Sequence, residues 1–307
     1  MEILLQQIIN GLVQGSIYAL VALGYTMVYG ILGLINFAHG EVVMVGAMLV
    51  LSSLTAMLGW GMPPVLALPV SIMLAIAGCM ALGYGIERIA YRPLRHAPRL
   101  APLITAIGVS IVLQNLAMMI WGRDYHSFPQ LFANTTHSFG GAVINDIQII
   151  IFVMAVAIMA GLMVVVHHTR LGRAMRAIAE NQHAAQLMGV DVNRVISITF
   201  MLGSAMAAVA GLMVSANYGL AHYYMGFLLG LKAFTAAVLG GIGNLRGAML
   251  GGLLLGLIES LGAGYIGDIT GGFMGSQYQD VFAFLVLIAV LVFRPAGLLG
   301  ERLAERA

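Results

Sequence analysis

Residues 149–166 read IIIFVMAVAIMAGLMVVV, a run without a single charged side chain. A membrane-spanning β-strand alternates apolar and polar residues over about ten positions, whereas this run is apolar on every side. A hydrocarbon core about 30 Å thick is crossed by about 20 residues of α-helix. The run therefore predicts a membrane-spanning helix, and residues 282–293 (FAFLVLIAVLVF) repeat the pattern near the other end of the chain.

Similar apolar runs extend this interpretation over the whole chain. Of its 307 residues, 61% are hydrophobic and only 8% are charged, against about 25% charged in an average soluble domain, which excludes a water-soluble globule. The fold class is therefore all-α, a polytopic membrane bundle of eight or nine transmembrane segments that forms one domain over residues 1–307. Spans are predicted near residues 8–33, 42–59, 65–86, 101–121, 147–166, 195–218, 228–242, 247–266 and 278–293, of which 228–242 is short enough to be a half-helix.

The arginines predict the orientation, because basic loops stay on the cytoplasmic side. Three basic segments follow the third, fifth and last spans: Arg88, Arg92, Arg95 and Arg99; Arg170, Arg173, Arg176 and Arg194; Arg294, Arg302 and Arg306. Residues 122–146 contain only Arg123, beside Asp124. We therefore expect a cytoplasmic C-terminus and residues 122–146 outside. The N-terminus lacks a basic leader, so we expect it to be retained and embedded. Counting the crossings backward from the basic segments places it outside.

Several function classes are excluded by composition and motif. The formal charge of +2 does not favour nucleic acid as a partner, and the single cysteine, Cys79, allows neither a disulfide nor a cysteine metal site. The chain has no Gly-x-x-x-x-Gly-Lys-Ser/Thr phosphate loop, no zinc motif and no nucleophile motif. We therefore expect no catalytic residue, no metal and no cofactor on this chain, so any energy from ATP would come from another subunit.

Small residues recur at four-residue spacing on the predicted helices. Such ridges let helix backbones approach closely in lipid, where apolar side chains gain little by leaving one apolar surface for another. The pattern predicts a tightly packed bundle. Its members are Gly11 and Gly15; Gly226 and Gly230; Gly243, Gly247 and Gly251; and Gly252, Gly256 and Ser260.

Polar residues interrupt the apolar runs at a few places and are the candidates for a solute pathway. Residues 33–41 (GLINFAHGE) and 240–247 (GGIGNLRG) have a similar polar turn, as broken helices of transporters do; the alternative is that Asn36 and Asn244 cap the following helices. Ionisable residues inside spans are costly and suggest function. Lys232 and Glu259 are such residues and are able to pair, or Lys232 reaches water from a span end. His39 and Glu41 are expected first at the interface.

Residues 167–194 predict short cytoplasmic helices. Ala174, Ala177, Ile178, Ala185 and Met188 fall close to one face at 3.6 residues per turn. Two interpretations remain open, a basic anchor against anionic lipid or an alanine-rich surface that docks a soluble partner.

Taken together, four motifs resemble those of permease subunits of branched-chain amino-acid ABC importers. They are residues 18–30 (YALVALGYTMVYG), 36–41 (NFAHGE), 87–93 (ERIAYRP) and 232–243 (KAFTAAVLGGIG). The resemblance covers nearly the whole chain. It implies a bacterial inner-membrane subunit that pairs with a second, related permease, engages two cytoplasmic ATPase subunits that hold ATP and Mg, and receives its solute from a periplasmic binding protein.

The resemblance also assigns a role to the segment near 167–194. It resembles the coupling loop of ABC permeases, whose pattern is Glu-Ala-Ala-x-x-x-Gly. His183 stands where the pattern has glutamate, and Glu180 is the nearest acid. The coupling-loop candidates are Arg170, Gly172, Arg173, Arg176, Glu180, Ala184, Ala185 and Gly189.

A branched-chain amino acid combines an apolar side chain with a zwitterionic backbone, so its path needs polar groups at broken helices. The candidates for that path are Asn36, His39, Glu41, Lys232, Asn244 and Glu259. The alternatives are an ABC permease for a sugar, urea or short amide, an ATP-independent channel or carrier, and a membrane-embedded enzyme, which lacks support because no nucleophile has a base beside it.

Overall fold

The computed structural model describes residues 2–95, 97–98, 100–129, 135–271, 273 and 278–300. Helices dominate these residues. In chain order they are α1 (Glu2–Leu32), α2 (His39–Gly59), α3 (Pro64–Ile86), α4 (Leu100–Trp121), α5 (Asp146–His168), α6 (Arg170–Glu180), α7 (Gln182–Leu187), α8 (Val192–Tyr218), α9 (Met225–Gly240), α10 (Leu245–Ile269) and α11 (Gln279–Phe293). A π-helical turn (Glu87–Tyr91) and a 3-10 turn (Arg92–Leu94) continue α3.

The prediction of a polytopic helical membrane protein is confirmed. Within the described residues, seven helices are long and apolar enough to cross a membrane, and α9 and α11 are shorter apolar helices. The observed bounds follow the predicted spans closely, and the largest difference is the start of α1. The helix includes the polar residues before position 8 because their side chains are paired: Gln6 Nε2 donates to Asn10 Oδ1 (3.1 Å), and Gln7 Oε1 accepts from Ser260 Oγ (2.7 Å).

Four short strands among the described residues depart from an all-α fold. β2 (Thr136–Phe139) and β3 (Ala142–Asn145) form an antiparallel hairpin, and β1 (His126–Ser127) pairs with β4 (Leu220–Ala221). The hairpin turn is Gly140-Gly141, both with positive φ, as a tight two-residue turn requires. Sequence analysis assigned no strands to residues 122–146.

By its contacts the chain divides into two compact units. Unit 1 comprises residues 1–26, 133–159 and 232–307, and unit 2 comprises residues 27–132 and 160–231. Three of the four boundaries fall inside helices, namely α1, α5 and α9. A single permease domain over residues 1–307 stays a prediction.

Glycines bring α1 and α10 into close contact inside unit 1. A Cβ on Gly11 would lie 2.8 Å from Leu257 Cα, and one on Gly15 would lie 2.8 Å from Leu253 Cα. Real Cβ atoms do not come this close to a backbone, so only glycine permits the contact. The predicted packing role of the Gly11 and Gly15 ridge is therefore confirmed.

The core of unit 2 is built from α2, α3 and α8. Helix α2 meets α8 where a Cβ on Gly46 would lie 2.6 Å from Ala208 Cα. Cys79 of α3 is fully buried, and its thiol donates to the carbonyl of Val42 on α2 (3.6 Å). These close contacts hold the first turn of α2, with its ionisable residues, deep inside the unit.

Candidate functional site

Unit 1 contains a cluster of charged side chains around Lys232, in which Glu259 is buried and Asp280 is partly exposed. Lys232 Nζ lies 2.7 Å from Asp280 Oδ1 and 3.3 Å from Glu259 Oε2. Tyr18 donates its hydroxyl hydrogen to the same Glu259 oxygen at 2.7 Å, and Lys232 Nζ lies 5.8 Å from the centre of the Tyr18 ring. The predicted pairing of Lys232 with Glu259 is therefore present, and Asp280 adds a second carboxylate.

The second carboxylate oxygen of Glu259, Oε1, is a buried acceptor in this cluster. Glu259 is only 3% exposed, and its Oε1 has no hydrogen-bond partner among the described residues. One ammonium faces two carboxylates here, and a buried charge is stable only when it is paired and hydrogen-bonded. The cluster can therefore accept a further proton donor at Glu259 Oε1.

Unit 2 contains a second buried carboxylate, Glu41, in the first turn of α2. Its Oε1 accepts hydrogen bonds from Gln114 Nε2 (2.6 Å) and Ser110 Oγ (3.2 Å), both on α4. Its Oε2 has no hydrogen-bond partner among the described residues, and it faces Gly226 at the start of α9. Sequence analysis expected His39 and Glu41 first at the interface, but the structure buries them to 2% and 1% exposure.

The two asparagines proposed as pathway or capping residues differ in their roles. Asn244 caps α10, since its side chain accepts from Gly247 N at 3.1 Å. Asn36 does not cap α2, whose N-cap is Ala38; its Oδ1 instead accepts from Ala38 N (3.2 Å) and from the Tyr91 hydroxyl (3.1 Å). The reason is that two residues separate Asn36 from the helix, which suits a turn rather than a cap.

The structure brings some pathway candidates together and keeps others apart. Lys232 and Glu259 meet in unit 1, whereas Asn244 begins the helix that carries Glu259 fifteen residues later, about 22 Å along its axis. In unit 2, Asn36 lies just before α2, and His39 and Glu41 lie in its first turn. Their role in a solute pathway stays a prediction.

The segment resembling a coupling loop folds into α6 and α7, each with a side-chain cap. Thr169 Oγ1 accepts from Gly172 N (3.1 Å), Asn181 Oδ1 accepts from Ala184 N (2.9 Å), and Asp191 Oδ1 accepts from Arg194 N (3.1 Å) at the start of α8. Gly189 ends the segment with φ +84, the left-handed conformation that glycine adopts freely at a helix C-terminus.

The five residues that helical periodicity placed on one face of this segment do not share one environment. Gly172, Met175, Ile178 and Ala185 are buried, whereas Ala177 is exposed and Met188 is 84% exposed. Asn181 has an extended backbone (φ −156, ψ 105), which ends α6 and interrupts the continuous 3.6-residue repeat before Ala185 and Met188.

The coupling-loop candidates themselves are mostly at the surface. Arg170, Arg173, Arg176, Glu180 and Ala184 are exposed, with Gly189 at the end. Arg176 also donates to the carbonyl of Val166 in the last turn of α5. Gly172 packs against the same turn, where a Cβ would clash with the carbonyl oxygen of Val166. The exposed neighbours Leu187 and Met188 give the segment an apolar tip.

Two arginine-rich segments of unit 2 lie at the same end, as the charge pattern predicted. Arg95 Nη1 donates to Asn193 Oδ1 at 2.6 Å, which joins the segment after α3 to the start of α8. Burial lowers the pKa of the Arg95 guanidinium, and the neighbouring Glu87 carboxylate opposes that shift. Arg99, Arg302 and Arg306, which contributed to the predicted orientation, lie outside the described residues.

Sequence reasoning missed several residues of these sites. Ser110 and Gln114 are four residues apart on α4, so a polar pair on one face of an apolar helix was the available signal. Asp280 lies in the predicted span 278–293 but was not singled out as an ionisable residue of a span. Glu87 was noted within a motif but not as a buried ion-pair partner of Arg95.

Comparison with known proteins places these features in a family. The family model described as the branched-chain amino acid transport system / permease component matches residues 7–291. The high-affinity branched-chain amino acid transport system permease protein BraD of Pseudomonas aeruginosa is 49% identical, over 98% of this chain and 97% of that protein. LivH of Escherichia coli, a permease protein of the same description, is 44% identical over the same shares.

A more distant relative widens the comparison. The ribose import permease protein RbsC of Escherichia coli is 27% identical over 94% of this chain and 85% of that protein. The family model and the two high-identity relatives both cover nearly the whole chain. This chain belongs to the branched-chain amino acid transport system permease family.

Proposed function

We propose that this chain is the membrane permease subunit of an ABC importer that carries branched-chain amino acids across the bacterial inner membrane. The observation that carries the proposal is the 49% identity, over 98% of the chain, to a permease named for high-affinity branched-chain amino acid transport. The chain changes no covalent bond. Two cytoplasmic ATPase subunits bind ATP and Mg and drive transport, a second related permease completes the membrane part, and a periplasmic protein delivers the solute.

The coupling segment supports docking of a soluble partner over a purely lipid-anchoring role. Its tip presents Leu187 (76% exposed) and Met188 (84% exposed) beside exposed arginines. Aliphatic side chains surrounded by charge at a helix end are suited to burial in a groove of another protein. In this proposal the ATPase receives α7 and its tip, and the membrane face that carries the arginines and the C-terminus is cytoplasmic.

The buried carboxylates support a pathway for a zwitterion. Glu41 and Glu259 each keep one oxygen without a hydrogen-bond partner among the described residues. An amino acid brings an ammonium group that such an oxygen can accept, and an apolar side chain suited to the surrounding helices. We place Asn36, His39, Glu41, Lys232, Asn244 and Glu259 along that pathway.

Affinity purification of the tagged chain from its native membrane in mild detergent tests the assembly. We expect two ATPase subunits and a second permease to co-purify. The complex is then reconstituted in vesicles with the binding protein and ATP, and uptake of labelled leucine is measured in competition with valine, ribose and urea. Competition by valine alone supports the proposal. Competition by ribose or urea indicates a different solute class, and a chain purified alone contradicts the ABC assembly.

A further inference from the structure

Glu87 is a fully buried carboxylate at the end of α3, and both of its oxygens are used. Oε1 pairs with the Arg95 guanidinium, and Oε2 accepts a hydrogen bond from Ser197 Oγ at 2.6 Å. Glu87 is 0% exposed, and the Arg95 side chain is 8% exposed. Breaking a buried ion pair is costly because it leaves an uncompensated charge. The intact pair therefore holds Glu87 and Arg95 in one geometry.

These partners connect the end of α3 to the start of α8. Ser197 lies in the second turn of α8, and Arg95 donates to Asn193 in the first turn at 2.6 Å. Helix α8 follows the coupling segment directly and is capped by Asp191. Helices α6 and α7 both contact α8. A displacement of the coupling segment therefore acts first on the residues that hold Glu87 and Arg95.

Tyr91, four residues after Glu87, connects this region to the segment before α2. Its hydroxyl donates to Asn36 Oδ1 at 3.1 Å and lies 3.3 Å from the carbonyl oxygen of Ile35. Its ring is 1% exposed and packs on Phe200 of α8 at 5.3 Å between ring centres. Asn36 in turn accepts from Ala38 N, where α2 begins.

The backbone between Glu87 and Tyr91 is suited to a discrete change. These five residues form a π-helical turn, a rare conformation that occurs mostly as single turns within α-helices and is frequent at functional sites. Its wider spacing places Glu87 against α8 and Tyr91 against the turn before α2. Returning the turn to α-helical spacing would rotate Tyr91 relative to Glu87, which would break one contact or the other.

We propose that Glu87, Arg95 and Tyr91 are positioning residues that transmit movement of the coupling segment to the turn at residues 33–38 and so to Glu41. This inference rests on the proposed function. ATP-driven closure of the partner subunits displaces α6 and α7, the Glu87–Arg95 pair carries the displacement through α8 to the π-helical turn, and Tyr91 moves Asn36.

The test uses the complete importer in vesicles with its binding protein, and the readout is the number of leucine molecules transported per ATP hydrolysed. Tyr91→Phe removes only the hydroxyl and keeps the ring against Phe200. Glu87→Gln keeps a side chain of the same shape and removes its charge. For both variants we expect ATP hydrolysis to continue and the ratio to fall about two- to tenfold, as expected when a net hydrogen bond is lost.

Tyr84→Phe is the matched control. Tyr84 lies on the same helix, is 37% exposed, and its hydroxyl accepts from the Arg88 side chain at the surface. We expect its ratio to equal that of the unmodified importer. A purely structural role for Glu87 and Tyr91 would lower the amount of complex and leave the ratio unchanged, and this result in Tyr91→Phe overturns the inference. An unmodified importer that hydrolyses ATP without leucine uptake overturns the proposed function itself.

Discussion

Lys232 Nζ lies 3.3 Å from Glu259 Oε2, although 27 positions separate the two residues in the chain. Their side chains are 13% and 4% exposed, and Asp280 approaches the same ammonium at 2.7 Å. Lys232 is the only lysine of the chain. The cluster therefore depends on one cation to compensate two acids.

Replacing this cation destabilises the fold. Lys232→Met leaves Glu259 buried beside Asp280 without a counter-charge, and we expect a loss of about 3–5 kcal/mol in the free energy of unfolding. The double variant Lys232→Met/Glu259→Gln removes both charges and recovers part of the loss. Thermal unfolding of the purified protein in lipid nanodiscs measures both.

The control is Arg123→Met, which removes an exposed cation from the loop after α4. We expect its melting temperature to match that of the unmodified chain. Equal melting temperatures for Lys232→Met and Arg123→Met would show that the cluster contributes nothing to stability.

The contact between α1 and α10 predicts a difference between two glycines. Gly15→Ala introduces a Cβ 2.8 Å from Leu253 Cα, so the helices must separate, at a cost of about 1–3 kcal/mol. Gly108→Ala, on the exposed face of α4 where a Cβ meets open space, keeps or raises the stability because alanine favours a helix. Comparing the two melting temperatures checks this, and a Gly15→Ala variant as stable as Gly108→Ala contradicts the packing argument.

The sequence predicts well what depends on local composition. A span needs only a run of apolar residues, so the bounds of helices such as α5 and α8 follow from hydropathy. Glu259 and Lys232 were also recognised locally, because a charge inside a span stands out. The pairing of β1 with β4 was missed because it joins residues 126 and 221 and depends on tertiary structure.

Errors in the sequence analysis arise where one residue changes the geometry. Helical periodicity placed Met188 on the same face as Ala185, but the extended backbone at Asn181 interrupts the repeat, and Met188 is 84% exposed whereas Ala185 is buried. Asp280 lies at the start of the predicted span 278–293, where an acid next to polar residues does not stand out, and only the folded structure shows it beside Lys232. The use of both Glu87 oxygens likewise depends on α8, which no local pattern reveals.

The coupling segment predicts that Arg173 contributes to ATPase docking. Arg173→Glu reverses an exposed charge on α6, and because a like charge across an interface costs several kcal/mol, we expect at least about tenfold less ATPase to co-purify. Arg173 is preferred to Arg176, which also holds the carbonyl of Val166 and would confound folding with docking. Arg123→Glu, on the opposite predicted face, is the control, and normal ATPase recovery with Arg173→Glu would refute the docking role.

Replacing Glu41 is expected to reduce transport without reducing the stability of the fold. In Glu41→Gln, the remaining oxygen still accepts from Gln114 and Ser110, so we expect an unchanged melting temperature. The variant loses the charge that would pair with the ammonium of the solute. Since hydrogen bonds to charged groups exceed neutral ones by about 1–1.5 kcal/mol, leucine uptake should fall about tenfold.

The control is Asp124→Asn, which changes an exposed acid in the loop after α4 and should leave uptake unchanged. Equal uptake by the Glu41→Gln and unmodified importers, measured in vesicles at equal complex content, would remove Glu41 from the pathway. A lower melting temperature accompanied by normal uptake per folded complex would assign Glu41 to packing alone.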